Sequence, residues 1–285
     1  MIQNRLKPTN DFIFKRIFGE EEVKENLIAL LNAILKLGDK KLKDIKIIEN
    51  KELIKELITD KTGRLDVRAE TFDNTQINIE IQLIDQKNIV ERMLYYMSKM
   101  YSESIRSGGK YRDLKKTVVI GILDFNYFNI EKFHSTYHFY EDEIKNYMLT
   151  DKFELHFIEM PKFRKITKDF KEPLHRWLLF LENDVPKEML KEVVEMDPVI
   201  RRAEARLEWL SCDEKTLELY RAREESLIEE RSRLNDAEEK GIEKGIEKAS
   251  INIAKEMIKD GQSSDMIKKY TRLTDEEIEL IRKDI

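Results

Sequence analysis

The stretch that decides the fold is RLDVRAET (Arg64–Thr71), followed after FDNTQ (Phe72–Gln76) by INIEIQLI (Ile77–Ile84). Both runs alternate apolar and polar residues, the period of a strand rather than of a helix. In the first, Leu65, Val67 and Ala69 share one face, with Arg64, Asp66, Arg68 and Glu70 on the other. In the second, Ile77, Ile79, Ile81 and Leu83 oppose Asn78, Glu80 and Gln82. The connector contains Asp73-Asn74, residues that favour a tight turn, so the two runs read as a β-hairpin. With the turn centred there, Asp66 is expected across from Glu80 or Gln82. Directly opposed residues carry Cβ atoms roughly 4.5–5.5 Å apart. Two carboxylates that close repel unless a cation lies between them, and hard oxygen ligands suit Mg²⁺.

Outward from the hairpin the periodicity changes. Upstream, Pro8-Thr9-Asn10-Asp11 supplies N-cap chemistry for a helix carrying Phe12, Phe14, Ile17 and Phe18. A second helix is expected through Val23, Leu27, Leu30, Leu31 and Ile34. Downstream, Asn88–Ser107 has helical spacing, with Ile89, Met93, Met97 and Met100 as its buried stripe, and Gly108-Gly109 ends it. TVVIGILDF (Thr117–Phe125) is apolar almost throughout, the pattern of a strand covered on both faces, and FELHFIEM (Phe153–Met160) is a further strand. This order predicts an α/β fold, a central mixed sheet flanked by helices.

Past about Pro186 the texture becomes charged helix. KGIEKGIEKA (Lys240–Ala249) repeats every four residues and puts Gly241, Gly245 and Ala249 on one helical stripe. Glycine costs about 1 kcal/mol against alanine inside a helix, so the stripe suggests close approach of another helix. The tail reads as short helices, with a capping box at Thr274–Glu277. The expected divisions are 1–186, a charged arm 187–248 and a helical tail module 249–285.

Bulk numbers limit the function. The chain has 285 residues, and its 52 Lys and Arg against 57 Asp and Glu give a net charge of −5. Nucleic-acid contact therefore needs a local basic patch. Residues 87–116 supply one: Lys87, Arg92, Lys99, Arg106, Lys110, Arg112, Lys115 and Lys116 against Glu91, Glu103 and Asp113. A single cysteine, Cys212, excludes an internal disulfide framework. No apolar run reaches the roughly 18 residues of a membrane span, so the expected location is cytoplasmic and no membrane partner is expected. There is no phosphate-binding G-x-x-x-x-G-K-[ST] loop.

Asp66, followed fourteen residues later by Glu80-Ile81-Gln82, resembles the D…(D/E)-x-K signature of PD-(D/E)XK nucleases. PTNDFIFKRIFG (Pro8–Gly19), GRLDV (Gly63–Val67), IEIQ (Ile79–Gln82) and RMLYYMSKMY (Arg92–Tyr101) together resemble the recombination-promoting nuclease family, transposase-like members of that superfamily. KGIEKGIEKAS and IAKEMIKDGQSSDMI are similar to that family's tail. The resemblance implies a restriction-endonuclease-like core and Mg²⁺-dependent DNA endonuclease activity, with Mn²⁺ as a substitute. It implies Asp66, Glu80 and the backbone carbonyl of Ile81 as metal ligands, and a link to recombination or mobile elements. Gln82 stands where the signature has lysine; it can hydrogen-bond but carries no charge.

Arg92, Tyr96 and Lys99 share a helical face and are the auxiliary candidates, with Arg92 or Lys99 able to supply the missing charge. Lys99, Arg106, Lys110, Arg112, Lys115 and Lys116 are the expected phosphate contacts. Asp11 reads first as an acid favoured by the helix dipole and second as an auxiliary catalytic acid. His134 and His138 stand four apart, but on a strand-like segment, so no zinc site is expected. Residues 249–285 sum to −1, which favours oligomerisation through Gly241, Gly245 and Ala249, or regulation, over DNA reading. The alternative reading is an inactive, nuclease-derived interaction protein.

Overall fold

The structure is a computed structural model that describes residues 5–48 and 67–285. Six strands among these residues form one sheet: β1 (Ile45–Ile48), β2 (Val67–Thr71), β3 (Gln76–Gln82), β4 (Thr117–Leu123), β5 (His134–Tyr140) and β6 (Met148–Glu159). Their spatial order is β1-β2-β3-β4-β6-β5. β3 pairs antiparallel with β2 and parallel with β4, and β4 pairs parallel with β6, so the sheet is mixed as the alternation of elements predicts. The β2–β3 register sets Val67 against Ile79 and Ala69 against Ile77. Asn74 makes the turn with φ +62°, a left-handed conformation that asparagine tolerates. Asp66, with Arg64 and Leu65, lies outside the described residues.

Being central, β3 has neighbours on both edges and cover on both faces. Ile77, Ile79 and Ile81 join Val67, Ala69, Val118, Ile120, Ile122 and Ile158 in the main core. That core is closed by α1 (Asp11–Phe18), α2 (Lys24–Leu35), α5 (Pro173–Leu181) and α7 (Pro198–Ser211), with Phe14, Phe18 and Trp177 fully buried. Each such isoleucine stabilises the fold by about 1.5–3 kcal/mol. The other face carries α3 (Ile89–Glu103), whose Ile89, Met93 and Met97 pack on Val119, Leu123 and Phe157. Every residue of β4 is buried, as its continuous apolar run predicts. β6 starts at Met148 rather than near Phe153. Its added first residues are largely exposed and pair with β5, so they lack the apolar alternation that marks a buried strand.

α4 (Met160–Lys165) follows β6 directly, and α6 (Lys187–Met196) precedes α7. Leu190 and Val193 of α6 are buried, and Val193 joins Ile200, Ala203, Leu207 and Leu210 of α7 in the main core. The first compact unit therefore runs past Pro186 and ends at Glu224. α8 (Glu214–Lys259) is tied to it at its start: Arg223 grips Asp11 at 2.6–3.0 Å, and Glu224 accepts from Asn10 at 2.8 Å. The second unit, Glu225–Ile285, contains α9 (Ser264–Thr271) and α10 (Asp275–Lys283). Ala254, Ile267, Leu273, Ile278 and Ile281 form its small core, and the Thr274–Glu277 capping box is present. Among the described residues no helix is long and apolar enough to cross a membrane.

Candidate functional site

The alternation that turns Ile77, Ile79 and Ile81 into the main core turns Asn78, Glu80 and Gln82 towards α3. These three are not solvated: they are 0, 1 and 6% exposed. A carboxylate so placed is costly unless paired, so its partners define the site. Gln82 donates its Nε2 to Glu80 Oε1 at 2.8 Å and to the Ile81 carbonyl at 2.9 Å. Arg92, in the first turn of α3, donates Nη1 to Gln82 Oε1 at 2.9 Å. Its Nη2 forms an ion pair with Glu80 Oε1. The guanidinium also lies 5.8 Å from the centre of the Tyr96 ring, within cation–π range.

The cluster is incompletely satisfied. Among the described residues, Glu80 Oε2, both amide atoms of Asn78, and Nε and Nη2 of Arg92 are buried and have no hydrogen-bond partner. Each unpaired buried polar group costs about 1–3 kcal/mol, so this face destabilises the fold where the isoleucine face stabilises it. Gly121 of β4 sits beside Glu80 in the ladder. A Cβ there would fall 2.8 Å from Met93 Cε, so glycine admits Met93 next to the carboxylate.

Of the residues predicted from sequence, Glu80, Ile81, Gln82, Arg92 and Tyr96 come together, and Asp66 falls outside the described residues. Lys99 is exposed on the same helix. Arg106, Lys110 and Arg112 are exposed in the following loop, but Lys115 and Lys116 are engaged by Glu70 and Glu154. Asp11 belongs to the layer on the opposite face of the sheet. It accepts from the Phe12 amide at 2.9 Å and holds Arg223, a structural role at the helix start. Asn78 and Gly121 are the additions of the structure. Asn78 is visible in sequence only as one more polar residue of an alternating run, and Gly121 only as a gap in an apolar one.

A second polar cluster lies at the other end of the sheet. His134 and His156 share a hydrogen bond of 2.9 Å, His156 bonds Glu154 at 2.8 Å, and Lys116 pairs with Glu154 at 2.6 Å. Burial and the neighbouring charges of His156, Lys36 and Lys132 hold His134 down to about 4. Burial pushes Glu154 upward, but hydrogen bonds from His156 and Lys116 outweigh it and bring the group down to about 2.

The sequence profile of the PD-(D/E)XK nuclease family transposases matches residues 8–237, spanning the whole sheet and the first part of α8. The chain belongs to that family. Among curated proteins and among solved structures, none matches it significantly. Membership gives the PD-(D/E)XK protein a nuclease-like or mobile-element function with DNA as the implied substrate. PD-(D/E)XK nucleases typically use divalent metal ions. Among the described residues no three His, Cys, Asp or Glu side chains converge on one point as a metal centre. The donor set on β3 nevertheless suits such an ion in kind: a buried carboxylate with one oxygen unpartnered, beside a carbonyl oxygen of the same strand.

Proposed function

We propose that the chain is a DNA endonuclease that hydrolyses phosphodiester bonds with Mg²⁺, or Mn²⁺ in its place. The observation that carries this reading is Glu80: a carboxylate 1% exposed on the central strand, with Oε2 unpartnered among the described residues, in a chain of the PD-(D/E)XK nuclease family transposases. Asp66, Glu80 and the Ile81 carbonyl would hold the ion. Bound there, a divalent ion acidifies a water and neutralises charge developing on the phosphate. Gln82 orients the Glu80 carboxylate and the Ile81 carbonyl through its two hydrogen bonds. Lys99, Arg106, Lys110 and Arg112, exposed around the end of α3, track the DNA backbone and keep the substrate in register. Self-association through Gly241, Gly245 and Ala249 would bring two such sites to one duplex. Ile242 and Ile246, 56 and 63% exposed beside the two glycines, favour that contact.

The test is a nicking assay on supercoiled plasmid with Mg²⁺, Ca²⁺ or EDTA. Wild type is expected to nick in Mg²⁺ alone, and Asp66→Ala to show no nicking while keeping its circular dichroism spectrum. Cleavage by a folded Asp66→Ala protein, purified free of host nuclease, would exclude this assignment. Inactivity of wild type in every condition would favour the nuclease-derived interaction protein.

A further inference from the structure

Two of the oxygens proposed for the ion already have partners within the chain. Glu80 Oε1 accepts from the Gln82 amide and is ion-paired with the Arg92 guanidinium, and the Ile81 carbonyl accepts from the same Gln82 amide. Arg92 and Glu80 are almost wholly out of water, with side chains 10 and 2% exposed, so their charges compensate each other with little screening. Yet the pairing leaves both partners short: among the described residues, Arg92 Nε and Glu80 Oε2 have no hydrogen-bond partner. A guanidinium with every N–H satisfied would be hard to move; this one is held by Gln82, Glu80 and the Tyr96 ring, with Nε unbonded among the described residues. The strand also lacks a cation of its own, since Gln82 occupies the lysine position of the signature.

We infer that Arg92 is a displaceable counter-cation, holding Glu80 in the resting protein and giving it up when a divalent ion binds. The freed guanidinium then supplies to the DNA phosphate the positive charge that Gln82 cannot. This rests on the metal-nuclease reading above and adds a coupling to it: ion binding and the arming of Arg92 are one event. Because Arg92 and the ion compete for the same carboxylate oxygen, removing Arg92 tightens ion binding while weakening contact with DNA. A purely structural Arg92 would show neither effect in this combination.

The experiment is isothermal titration calorimetry of Ca²⁺ into the full chain, comparing wild type, Arg92→Met, which keeps the side-chain stem, and Glu80→Gln. Arg92→Met is expected to bind Ca²⁺ at least about tenfold more tightly than wild type, equivalent to roughly 1.4 kcal/mol. Glu80→Gln should lose the binding. Should Arg92→Met fail to fold, Arg92→Gln gives the same readout. The second arm measures DNA affinity against salt. In Ca²⁺ the slope of log K on log salt should be smaller by about one for the variant, the loss of one phosphate contact. In EDTA the two slopes should coincide. Equal or weaker Ca²⁺ binding by Arg92→Met than by a wild type that does bind would overturn the counter-cation but leave the metal site standing. Binding that survives Glu80→Gln, or is absent from both wild type and Arg92→Met, would overturn the metal reading and this inference with it.

Discussion

On one side of β3, Ile77, Ile79 and Ile81 interlock with the aliphatic residues of β2, β4 and β6 beneath four helices. On the other, one residue along, Asn78, Glu80 and Gln82 lie equally far from water beneath α3. The apolar face gains free energy from every methyl it buries. The polar face buries a carboxylate, two amides and a guanidinium, and leaves five of their atoms without a hydrogen bond among the described residues. Equal burial thus has opposite energetic sign on the two faces. A chain selected for stability alone would fill both with aliphatic side chains, and this cost is what supports the proposal that the polar face binds an ion.

The comparison breaks most visibly at Ile79, on the apolar side. Ile79→Ala should destabilise the fold by about 2–5 kcal/mol, read as a fall in the urea midpoint. The folded fraction should keep its affinity for Ca²⁺. An altered affinity would mean that the two faces do not act separately. Asn78→Leu probes the polar side with the reverse sign. Replacing an amide that has no partner by an aliphatic group of similar size should raise stability by about 1–3 kcal/mol. A lowered urea midpoint would mean that ordered water satisfies the amide and that the face is structural.

A third effect, seen only in acid, lies away from both faces of β3, at the His134–His156 pair. His134 titrates near 4 in the folded chain, against about 6.5 unfolded. The unfolded state therefore binds the proton first. The contribution of this group is fully present above about pH 6.5 and is lost as pH falls towards 4. The loss should be on the order of 3 kcal/mol. His134→Gln should flatten the decline of Tm between pH 6.5 and 4; a parallel decline in variant and wild type would assign the acid sensitivity elsewhere.

The hairpin, the register of its described part and its turn at Asn74 are legible in the sequence, because a period of two and an Asp-Asn connector are local signals. The same holds for the amphipathic stripe of α3 and for β4. β1 is only four residues long, too short for periodicity to show. The extension of the first unit to Glu224 was hidden for another reason. α6 and α7 are highly charged overall, and only their narrow apolar stripes enter the core, while the ties of Arg223 to Asp11 and Glu224 to Asn10 join residues more than 200 positions apart. Within the site, Glu80 and Gln82 are visible as a motif. The engagement of Arg92 is not, because spacing along a helix gives its face but not which strand that face meets.

By itself the sequence determined the strand alternation, the placement of Glu80, Ile81 and Gln82 on one strand, the basic segment after it and the membership of the family. Each of these follows from the order of side chains over a few residues, or from their recurrence in related chains. Only the tertiary structure decided that the polar face of the hairpin is buried, that Arg92 rather than Lys99 reaches Glu80, and that the Asn78 amide and Glu80 Oε2 have no hydrogen-bond partner among the described residues. Alternation specifies two faces but not what covers them. A polar stripe of the same sequence would be a solvated surface on an edge strand and becomes a buried cluster here because β3 is central and α3 packs across it.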